Sequence, residues 1–180
     1  MSRKIIVNAG TSADGFIAQP DGGIEWLTSR PKLPGFYGMG DFTKSIDARI
    51  LGRKTFEKSL ELGAKFDGKQ KTYVISSRPP STPMAGVEFI SGSIASFATR
   101  VKSEPGRNIW MMGGGGAIGS FLDAGAIDEL IITVAPVMIG EGIPLIAPGR
   151  RQIELRLLHS RPFEDGVVQL HYEVPTRQRR

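Results

Sequence analysis

The segment that decides the fold is IWMMGGGGAIGSFLDAG, residues 109–125, in which an apolar run, four glycines and an amphipathic stretch follow one another. Ile109–Met112 is typical of a buried strand, and Ala117–Ala124 has the apolar spacing of a helix that Gly125 would end. Glycine lets a ligand approach the backbone closely, and a helix N-terminus offers unpaired N–H groups with partial positive charge. Gly113–Gly116 therefore predicts a pyrophosphate-binding turn, and the alternative is a tight turn that packing requires.

Two common phosphate-binding motifs do not account for these glycines. Gly114-x-Gly116-x-x-Gly119 formally matches the dinucleotide fingerprint of the Rossmann fold, but it lies late in the chain. The strand after it ends near Ala135-Pro136, without an acidic residue to hold a ribose. No Gly-Lys-Ser/Thr follows the glycines, so a P-loop is not supported either.

The rest of the chain alternates between strand and helix patterns and changes character in its last third. Short apolar runs predict further buried strands at Lys4–Ala9, Arg49–Gly52 and Thr72–Ser76. Helical spacing predicts helices at Gly40–Ile46, Thr55–Leu60 and Ser93–Lys102, the last with Ser93 as its N-cap. Strand patterns without helices between them follow at Glu129–Val134, Ile153–Ser160 and Val167–Val174. Strand–helix units followed by antiparallel strands predict one α/β domain over residues 1–180, with a mixed, mainly parallel central sheet covered on both faces and a basic tail at 175–180.

Two polar clusters follow predicted strands and have the character of anion sites. Gly52-Arg53-Lys54-Thr55 stands where a strand passes into a helix, and cations there oppose the helix dipole unless an anion is bound. Ser76-Ser77-Arg78 ends another strand, and open α/β sheets bind ligands at that edge. The alternatives are a helix that starts with surface cations and a polar loop entering Pro79-Pro80. Together with the glycine turn, the clusters favour a ligand with several phosphates, and the extra cations favour NADPH over NADH.

The composition narrows the class of protein. The 180 residues include no cysteine, which excludes disulfides and thiolate chemistry, and only two histidines, so we expect no metal site. The net charge is +5, but the basic residues are scattered apart from the tail Arg177–Arg180 and are not interleaved with aromatic residues. We therefore expect no nucleic-acid partner. The apolar run Ile5–Val7 is too short for a signal peptide and no run is long enough to span a membrane, so we expect a cytoplasmic protein.

The order of these motifs resembles the dihydrofolate reductase-like fold, and most closely the branch that contains the reductase domain of bacterial riboflavin biosynthesis and its stand-alone relatives. The resemblance spans roughly residues 4–174, and it is carried by Ser12-x-Asp14-Gly15-Phe16-Ile17-Ala18, Ile50–Glu57, Val74–Pro79, Ile109–Gly116, and Asp128–Leu130 through Ala135-Pro136-x-x-x-Gly140-x-Gly142. It implies a three-layer sandwich, an NADPH-binding reductase and, as is common in this branch, a homodimer.

The resemblance also implies where the cofactor lies. Arg53, Lys54 and Thr55 would hold the adenosine-side phosphates, and Ser76, Ser77 and Arg78 would flank the adenosine ribose and its 2′-phosphate. Gly114–Ala117 would cradle the pyrophosphate, Ala9 and Ile17 would lie near the nicotinamide, and Asp14-Gly15 would shape the loop over that ring. The complete predicted cofactor site is Ala9, Ile17, Gly52, Arg53, Lys54, Thr55, Ser76, Ser77, Arg78, Met112, Gly113, Gly114, Gly115, Gly116, Ala117 and Ile118.

Two departures from the family pattern leave the substrate open. Dihydrofolate reductases carry an acid on the first helix that supports proton delivery, whereas the stretch Phe36–Asp41 has a different length here and Asp41 is equally explained as a helix N-cap. The riboflavin-pathway reductase has an acid just before its glycines, where this chain has Met112. The candidate catalytic residues are Asp41 and Trp26, of which Trp26 would stack on a flat substrate unless it belongs to the core. Glu25 and Tyr37 are further candidates for the substrate side.

These observations rank three functions. The first is an NADPH-dependent reductase that transfers a hydride to a small heteroaromatic, pterin- or aminopyrimidine-like substrate, with 5-amino-6-(5-phosphoribosylamino)uracil as one alternative. The second is a nucleotide- or flavin-binding module without turnover. The third is a nucleic-acid binder that relies on the net charge of +5.

Overall fold

A computed structural model describes residues 3–30, 36–66, 68–80, 82 and 84–175. The strands in this part of the chain are β1 (Ile5–Thr11), β2 (Phe16–Ala18), β3 (Ile46–Gly52), β4 (Lys71–Ile75), β5 (Val87–Ile90), β6 (Asn108–Gly113), β7 (Glu129–Val134), β8 (Ile143–Pro144), β9 (Arg156–Pro162) and β10 (Val168–Glu173). The helices are α1 (Glu25–Thr28), α2 (Met39–Ser45), α3 (Arg53–Glu61), α4 (Ile94–Ser103) and α5 (Gly115–Asp123), and a short 3₁₀ turn covers Phe36–Gly38. The predicted tail residues 176–180 lie outside the described part of the chain.

Eight of these strands form one sheet in the order β5-β4-β3-β6-β1-β7-β10-β9. The pairs from β5 to β7 are all parallel, whereas β10 pairs antiparallel with both β7 and β9. The strands β2 and β8 form a separate antiparallel pair. The predicted mixed sheet, mainly parallel with antiparallel strands at its C-terminal side, is therefore confirmed.

Helices cover both faces of the sheet and make three layers. On one face α4 and α5 bury Phe97, Val101 and Phe121 against Ile5, Val7 and their neighbours, where the largest apolar cluster lies. On the other face α2 and α3 contribute Phe42 and Phe56 to two smaller clusters. The alternation of residues along each strand produces this division, since Ile109 and Met111 of β6 join the first cluster while Trp110 packs on the second face.

Local sequence patterns located most elements to within a few residues. Ser93 caps α4 as predicted, because its hydroxyl accepts a hydrogen bond from the Ser96 N–H at 3.3 Å. The strand predicted at Glu129–Val134 pairs antiparallel with β10, as expected, but it also runs parallel to β1, because α5 provides a crossover before it. The edge strand β5 and the pair β2–β8 have no predicted counterpart, since each strand has only two to four residues.

A charge cluster around the buried Glu129 carboxylate joins β7 and β10 to the start of β1 at the end of the sheet opposite the glycine turn. The Glu129 carboxylate, whose side chain is only 11% exposed, accepts hydrogen bonds from Lys4 Nζ at 2.5 Å and contacts His171 Nε2 at 2.8 Å. Burial alone would raise the pKa of the Glu129 carboxyl, but the hydrogen bonds and charges of Lys4 and His171 hold it below its ordinary value near 4.5.

We expect Glu129→Gln to lower the free energy of unfolding at pH 7 by about 2 kcal/mol, because it removes the charge of a buried carboxylate that accepts a hydrogen bond from Lys4 and contacts His171. Since the pKa of Glu129 is lower in the folded chain, its contribution is complete above about pH 4.5 and is lost as the pH falls through the folded-state value. Urea unfolding at pH 7 and below pH 4 measures both effects. The difference from wild type should shrink in acid, whereas Glu154→Gln, at an exposed position, should match wild type throughout. A Glu129→Gln protein as stable as wild type at pH 7 would contradict this role.

Candidate cofactor and substrate cavity

The three predicted phosphate-like features meet at one edge of the sheet. They follow the carboxyl ends of β4, β3 and β6, which are neighbours in the sheet and run parallel. The three features are therefore adjacent in space although about 60 residues separate the first from the last along the chain. Backbone N–H groups at the starts of α3 and α5 lie at the same edge.

A cavity of about 1100 Å³ opens at this edge, which is large enough for a dinucleotide together with a small ring compound. We call the part at the strand ends of β3 and β6 the nucleotide half, and it is lined by Gly52–Thr55, Met112 and Gly114–Ile118. We call the part lined by Asn8, Leu27, Phe36, Tyr37, Met39 and Trp110 the ring half. Twelve of the sixteen predicted cofactor residues line the cavity: Ala9, Ile17, Gly52, Arg53, Lys54, Thr55, Met112, Gly114, Gly115, Gly116, Ala117 and Ile118.

The glycine turn has a separate steric requirement at each position. Gly113 has φ +114°, which a residue with a side chain rarely adopts, and its peptide bond to Gly114 is cis. A methyl group at Gly114 would lie 3.0 Å from Thr55 Oγ1, and one at Gly115 would collide with the Pro144 carbonyl oxygen. A methyl group at Gly116 would meet no atom within 4 Å, and Gly116 lines the cavity. Gly114 and Gly115 therefore allow the close approach of α5 to its neighbours, while Gly116 leaves open space beside the N-terminus of that helix.

The first turn of α3 presents cations to the nucleotide half. Gly52 provides no side-chain cap, and the first turn holds Arg53 and Lys54 but no acidic residue. Arg53 is partly engaged, since Nε donates to Glu57 Oε1 at 2.7 Å and Nη1 donates to the Arg78 carbonyl oxygen at 2.8 Å. Lys54 is exposed and forms no salt bridge within the described part of the chain. The helix thus begins with a cation beside the cavity that has no counter-charge.

The cluster after β4 lies next to the cavity rather than in its lining. Ser76 is buried and its hydroxyl accepts a hydrogen bond from the Arg78 N–H at 3.2 Å, whereas Ser77 and Arg78 are exposed. The hydrogen bond from Arg53 to the Arg78 carbonyl joins this loop to α3. Ser76, Ser77 and Arg78 therefore border the nucleotide half from outside, and Gly113 is likewise absent from the lining.

The turn between β1 and β2 is fixed to the segment that follows β7. The Asp14 carboxylate accepts hydrogen bonds from the N–H groups of Ile139 at 3.2 Å and Gly140 at 2.8 Å. Hydrogen bonding from Ser12 and from these N–H groups lowers the pKa of Asp14 below its ordinary value, so the carboxylate is charged at neutral pH. Gly15 follows with φ +89°. Asp14 and Gly15 therefore belong to a turn just before Ile17, which lines the cavity.

The candidate catalytic residues do not reach the cavity. Asp41 lies in the first turn of α2 with its side chain exposed, and its carboxylate contacts Lys44 Nζ at 3.3 Å. The N-cap of α2 is Gly38, so the alternative interpretation of Asp41 as an N-cap is wrong. Trp26 lies on α1 outside the lining, and its buried Nε1 has no hydrogen-bond partner in the described part of the chain. Sequence reasoning missed Asn8, Leu27, Met39 and Trp110, of which only Asn8 carries a local signal, as a polar residue inside an apolar strand.

The described residues contain no group of three or more His, Cys, Asp or Glu side chains that could hold a metal ion. No helix among them has the length and apolarity needed to cross a bilayer.

Comparison with known proteins agrees with this geometry. The sequence model of the RibD C-terminal domain matches residues 3–169. The uncharacterized protein YwjB of Bacillus subtilis (strain 168) is 40% identical over 173 residues, which cover 96% of this chain and 98% of the relative. A protein from Shewanella sp. PV-4 proposed to act in riboflavin biosynthesis has a structure that superimposes with a TM-score of 0.83, at 25% identity, over 97% of this chain and 99% of that one. Dihydrofolate reductase from Enterococcus faecalis, complexed with NADP(H) and RAB-propyl, shares the fold with a TM-score of 0.66 and 19% identity, over 96% of each chain.

Proposed function

The chain belongs to the RibD C-terminal domain family, and from that premise we propose that it is an NADPH-dependent reductase that transfers a hydride to a small, flat substrate of the pterin or aminopyrimidine kind. The reductase character of the family supports an oxidoreductase. The observation that carries the proposal is the cavity in which glycines, cations and two helix N-termini face one half while aromatic and aliphatic side chains line the other. Such a division suits a polyanionic dinucleotide whose reactive ring must meet a flat, uncharged substrate.

The residues present fit the phosphates of the cofactor. Open space over Gly116 at the start of a nine-residue helix leaves room for a pyrophosphate, and Lys54 supplies a cation without a counter-charge. We assign Gly114–Ala117 to the pyrophosphate and Arg53–Thr55 to the adenosine-side phosphates. Ser76–Arg78, just outside the lining, is assigned to the ribose and its 2′-phosphate, and Ala9 and Ile17 to the nicotinamide.

The bound cofactor supplies the hydride, and the chain's own residues supply position and exclusion of water. In the ring half, Leu27, Met39 and Trp110 form an apolar surface that favours a flat ring over a hydrated ion. Met112 lines the cavity just before the glycines, and its thioether offers neither a charge nor a proton there. This arrangement favours an uncharged ring and does not favour a reaction that needs a carboxylate at that point.

The test of this function is turnover. NADPH oxidation should be measured with 7,8-dihydropterins, aminouracils and quinones, and we expect it with at least one pterin or aminopyrimidine. Turnover confined to 5-amino-6-(5-phosphoribosylamino)uracil would assign the riboflavin-pathway reaction instead. Bound NADPH or flavin without turnover of any compound would contradict the proposal and favour a nucleotide-binding module.

We also propose that the protein is a homodimer in which a second copy covers β9. All seven residues of β9 are exposed although the strand carries Leu157 and Leu158, which are 53% and 42% exposed. Leu155 and Val168 are exposed beside them. Exposed leucines on an edge strand mark a surface that proteins often cover.

We therefore expect wild type to sediment as a dimer and Leu157→Lys as a monomer, since a buried ammonium at the interface is costly. Sedimentation velocity checks this. Met138→Lys is the matched control because Met138 is 76% exposed and lies outside β9, and it should remain dimeric. A monomeric wild type would refute the dimer, and a dimeric Leu157→Lys would place the interface elsewhere.

A further inference from the structure

Tyr37 is a buried wall residue of the ring half with an unusual backbone conformation. Its φ and ψ are 54° and 33°, in the left-handed region, and Phe36 before it also has a positive φ of 40°. For a residue with a bulky side chain this conformation is unfavourable, and it persists only where surrounding contacts fix it. The contacts that fix Tyr37 therefore determine the shape of the ring half.

Those contacts come from the β9–β10 hairpin, more than 120 residues later in the chain. The Tyr37 hydroxyl donates a hydrogen bond to Asp165 Oδ2 at 2.5 Å, and its ring packs edge-to-face on Phe163 with 4.9 Å between the centroids. Gln169 Nε2 donates to the Tyr37 carbonyl oxygen at 2.9 Å and to Thr133 Oγ1 at 3.0 Å. Hydroxyl, ring and backbone of one residue are thus all held by one hairpin.

Asp165 is itself held in position by Arg30 and by the backbone of Val167. Arg30 Nη2 donates to the Asp165 carbonyl oxygen at 2.8 Å and contacts its Oδ2 at 3.3 Å, and the Val167 N–H donates to Oδ1 at 3.3 Å. The hydrogen bond from Tyr37 lowers the pKa of Asp165, while burial and the neighbouring carboxylate raise the pKa of Tyr37. The carboxylate is therefore ionised and the phenol protonated at neutral pH, so the direction of the hydrogen bond is fixed. We call Arg30, Tyr37, Asp165 and Gln169 the clasp.

Only Tyr37 among the clasp residues lines the cavity, and none of the four belongs to the nucleotide half. We propose that Asp165 is a positioning residue that, through Tyr37, sets the wall of the ring half, so that the β9–β10 turn determines which planar substrates the enzyme accepts. The inference rests on the proposed function, because it assumes that the ring half receives the substrate. Substrate recognition then depends on a turn that does not line the cavity, whereas cofactor binding is independent of that turn.

The test uses the full chain with three variants and a control. Asp165→Ala removes the acceptor, Tyr37→Phe keeps the ring but removes the donor, and Asp165→Asn restores an acceptor oxygen without the charge. Glu164→Ala is the matched control, since Glu164 is an exposed residue of the same turn. Melting temperatures are recorded for all of them. If Asp165→Ala does not fold, Tyr37→Phe still decides the question, because it removes a single hydroxyl.

The first readout is steady-state kinetics with saturating NADPH and 7,8-dihydrobiopterin as the probe. We expect Asp165→Ala and Tyr37→Phe each to raise KM about tenfold while kcat stays within twofold, and Asp165→Asn to recover most of the loss. The double variant should be no worse than the more affected single variant, because Asp165 acts through Tyr37. The NADPH dissociation constant should stay within twofold of wild type throughout. Additive effects, or a lowered kcat with an unchanged KM, would overturn the proposal.

The second readout is the crystal structure of Asp165→Ala, which does not depend on the probe. We expect Tyr37 to leave the left-handed region and the wall to shift, while Gly113–Gly116 stays in place. If Tyr37 keeps its position without the carboxylate, the clasp is refuted whatever the kinetics show. If wild type binds NADPH but neither binds nor reduces any pterin or pyrimidine, the proposed function fails, and the crystal structure still decides whether Asp165 positions Tyr37.

Discussion

Gly116→Asp should weaken NADPH binding at least about 100-fold without harming the fold. A Cβ atom added at Gly116 meets no atom within 4 Å, and Gly116 lies in the first turn of α5. A carboxylate at a helix N-terminus stabilises the helix by about 0.3–1 kcal/mol, so the melting temperature should hold or rise. The same carboxylate would stand where we place the pyrophosphate. Repulsion between like charges about 4 Å apart in a site of intermediate dielectric is worth about 4 kcal/mol, enough for the expected loss.

Isothermal titration calorimetry with NADPH measures this effect, and Gly40→Asp provides the control. Gly40 also lies in a helix without a positive φ, a Cβ atom added there meets no atom within 4 Å, and it does not line the cavity. Gly40→Asp should bind NADPH as wild type does. If Gly116→Asp bound NADPH with unchanged affinity, the pyrophosphate would have to lie elsewhere, and the glycines would be explained by packing alone.

Arg78→Ala should reduce the preference for NADPH over NADH by about tenfold to 100-fold. A hydrogen bond to a charged group contributes about 1.5–3 kcal/mol, and the two cofactors differ only in the 2′-phosphate that we assign to Ser76–Arg78. The affinity for NADPH should therefore fall while that for NADH stays within twofold. Arg78 is exposed and donates no side-chain hydrogen bond in the described structure, so its removal should leave stability unchanged.

The same titrations, run with both cofactors, distinguish recognition of the 2′-phosphate from a general effect of charge. Arg150→Ala is a suitable control, since Arg150 is an exposed arginine that does not line the cavity. Like Arg78→Ala, Arg150→Ala lowers the net charge of +5 by one, but it should leave both dissociation constants unchanged. Equal weakening of NADPH and NADH by Arg78→Ala would move the 2′-phosphate away from this loop.

The nucleotide half could be predicted from sequence because its signals are local. Glycines after an apolar strand and cations at a helix start are visible in short stretches, and parallel strands bring their carboxyl ends to one edge. The order β4-β3-β6 in the sheet then makes Ser76–Arg78, Arg53–Thr55 and Gly113–Gly116 neighbours. Composition and periodicity alone do not determine that order, which only the structure shows.

The ring half could not be predicted in the same way because its residues come from distant segments. Tyr37 adopts a backbone conformation that its own side chain disfavours, and Asp165, which holds it, lies 128 residues away. Asp41 was a plausible catalytic acid by its place in the chain, but the turn of α2 directs that side chain to solvent. Local sequence patterns carry no information about such tertiary contacts, so they do not predict the role of a residue that depends on them.

The proposed function depends most directly on cofactor binding, and calorimetric titration of the wild-type protein with NADPH and with NADH tests that binding in one experiment. We predict saturable binding of one NADPH per chain, at least about tenfold tighter than NADH, as expected for a charged contact to the 2′-phosphate. Equal affinity for the two cofactors, or no binding of either, would contradict the central claim.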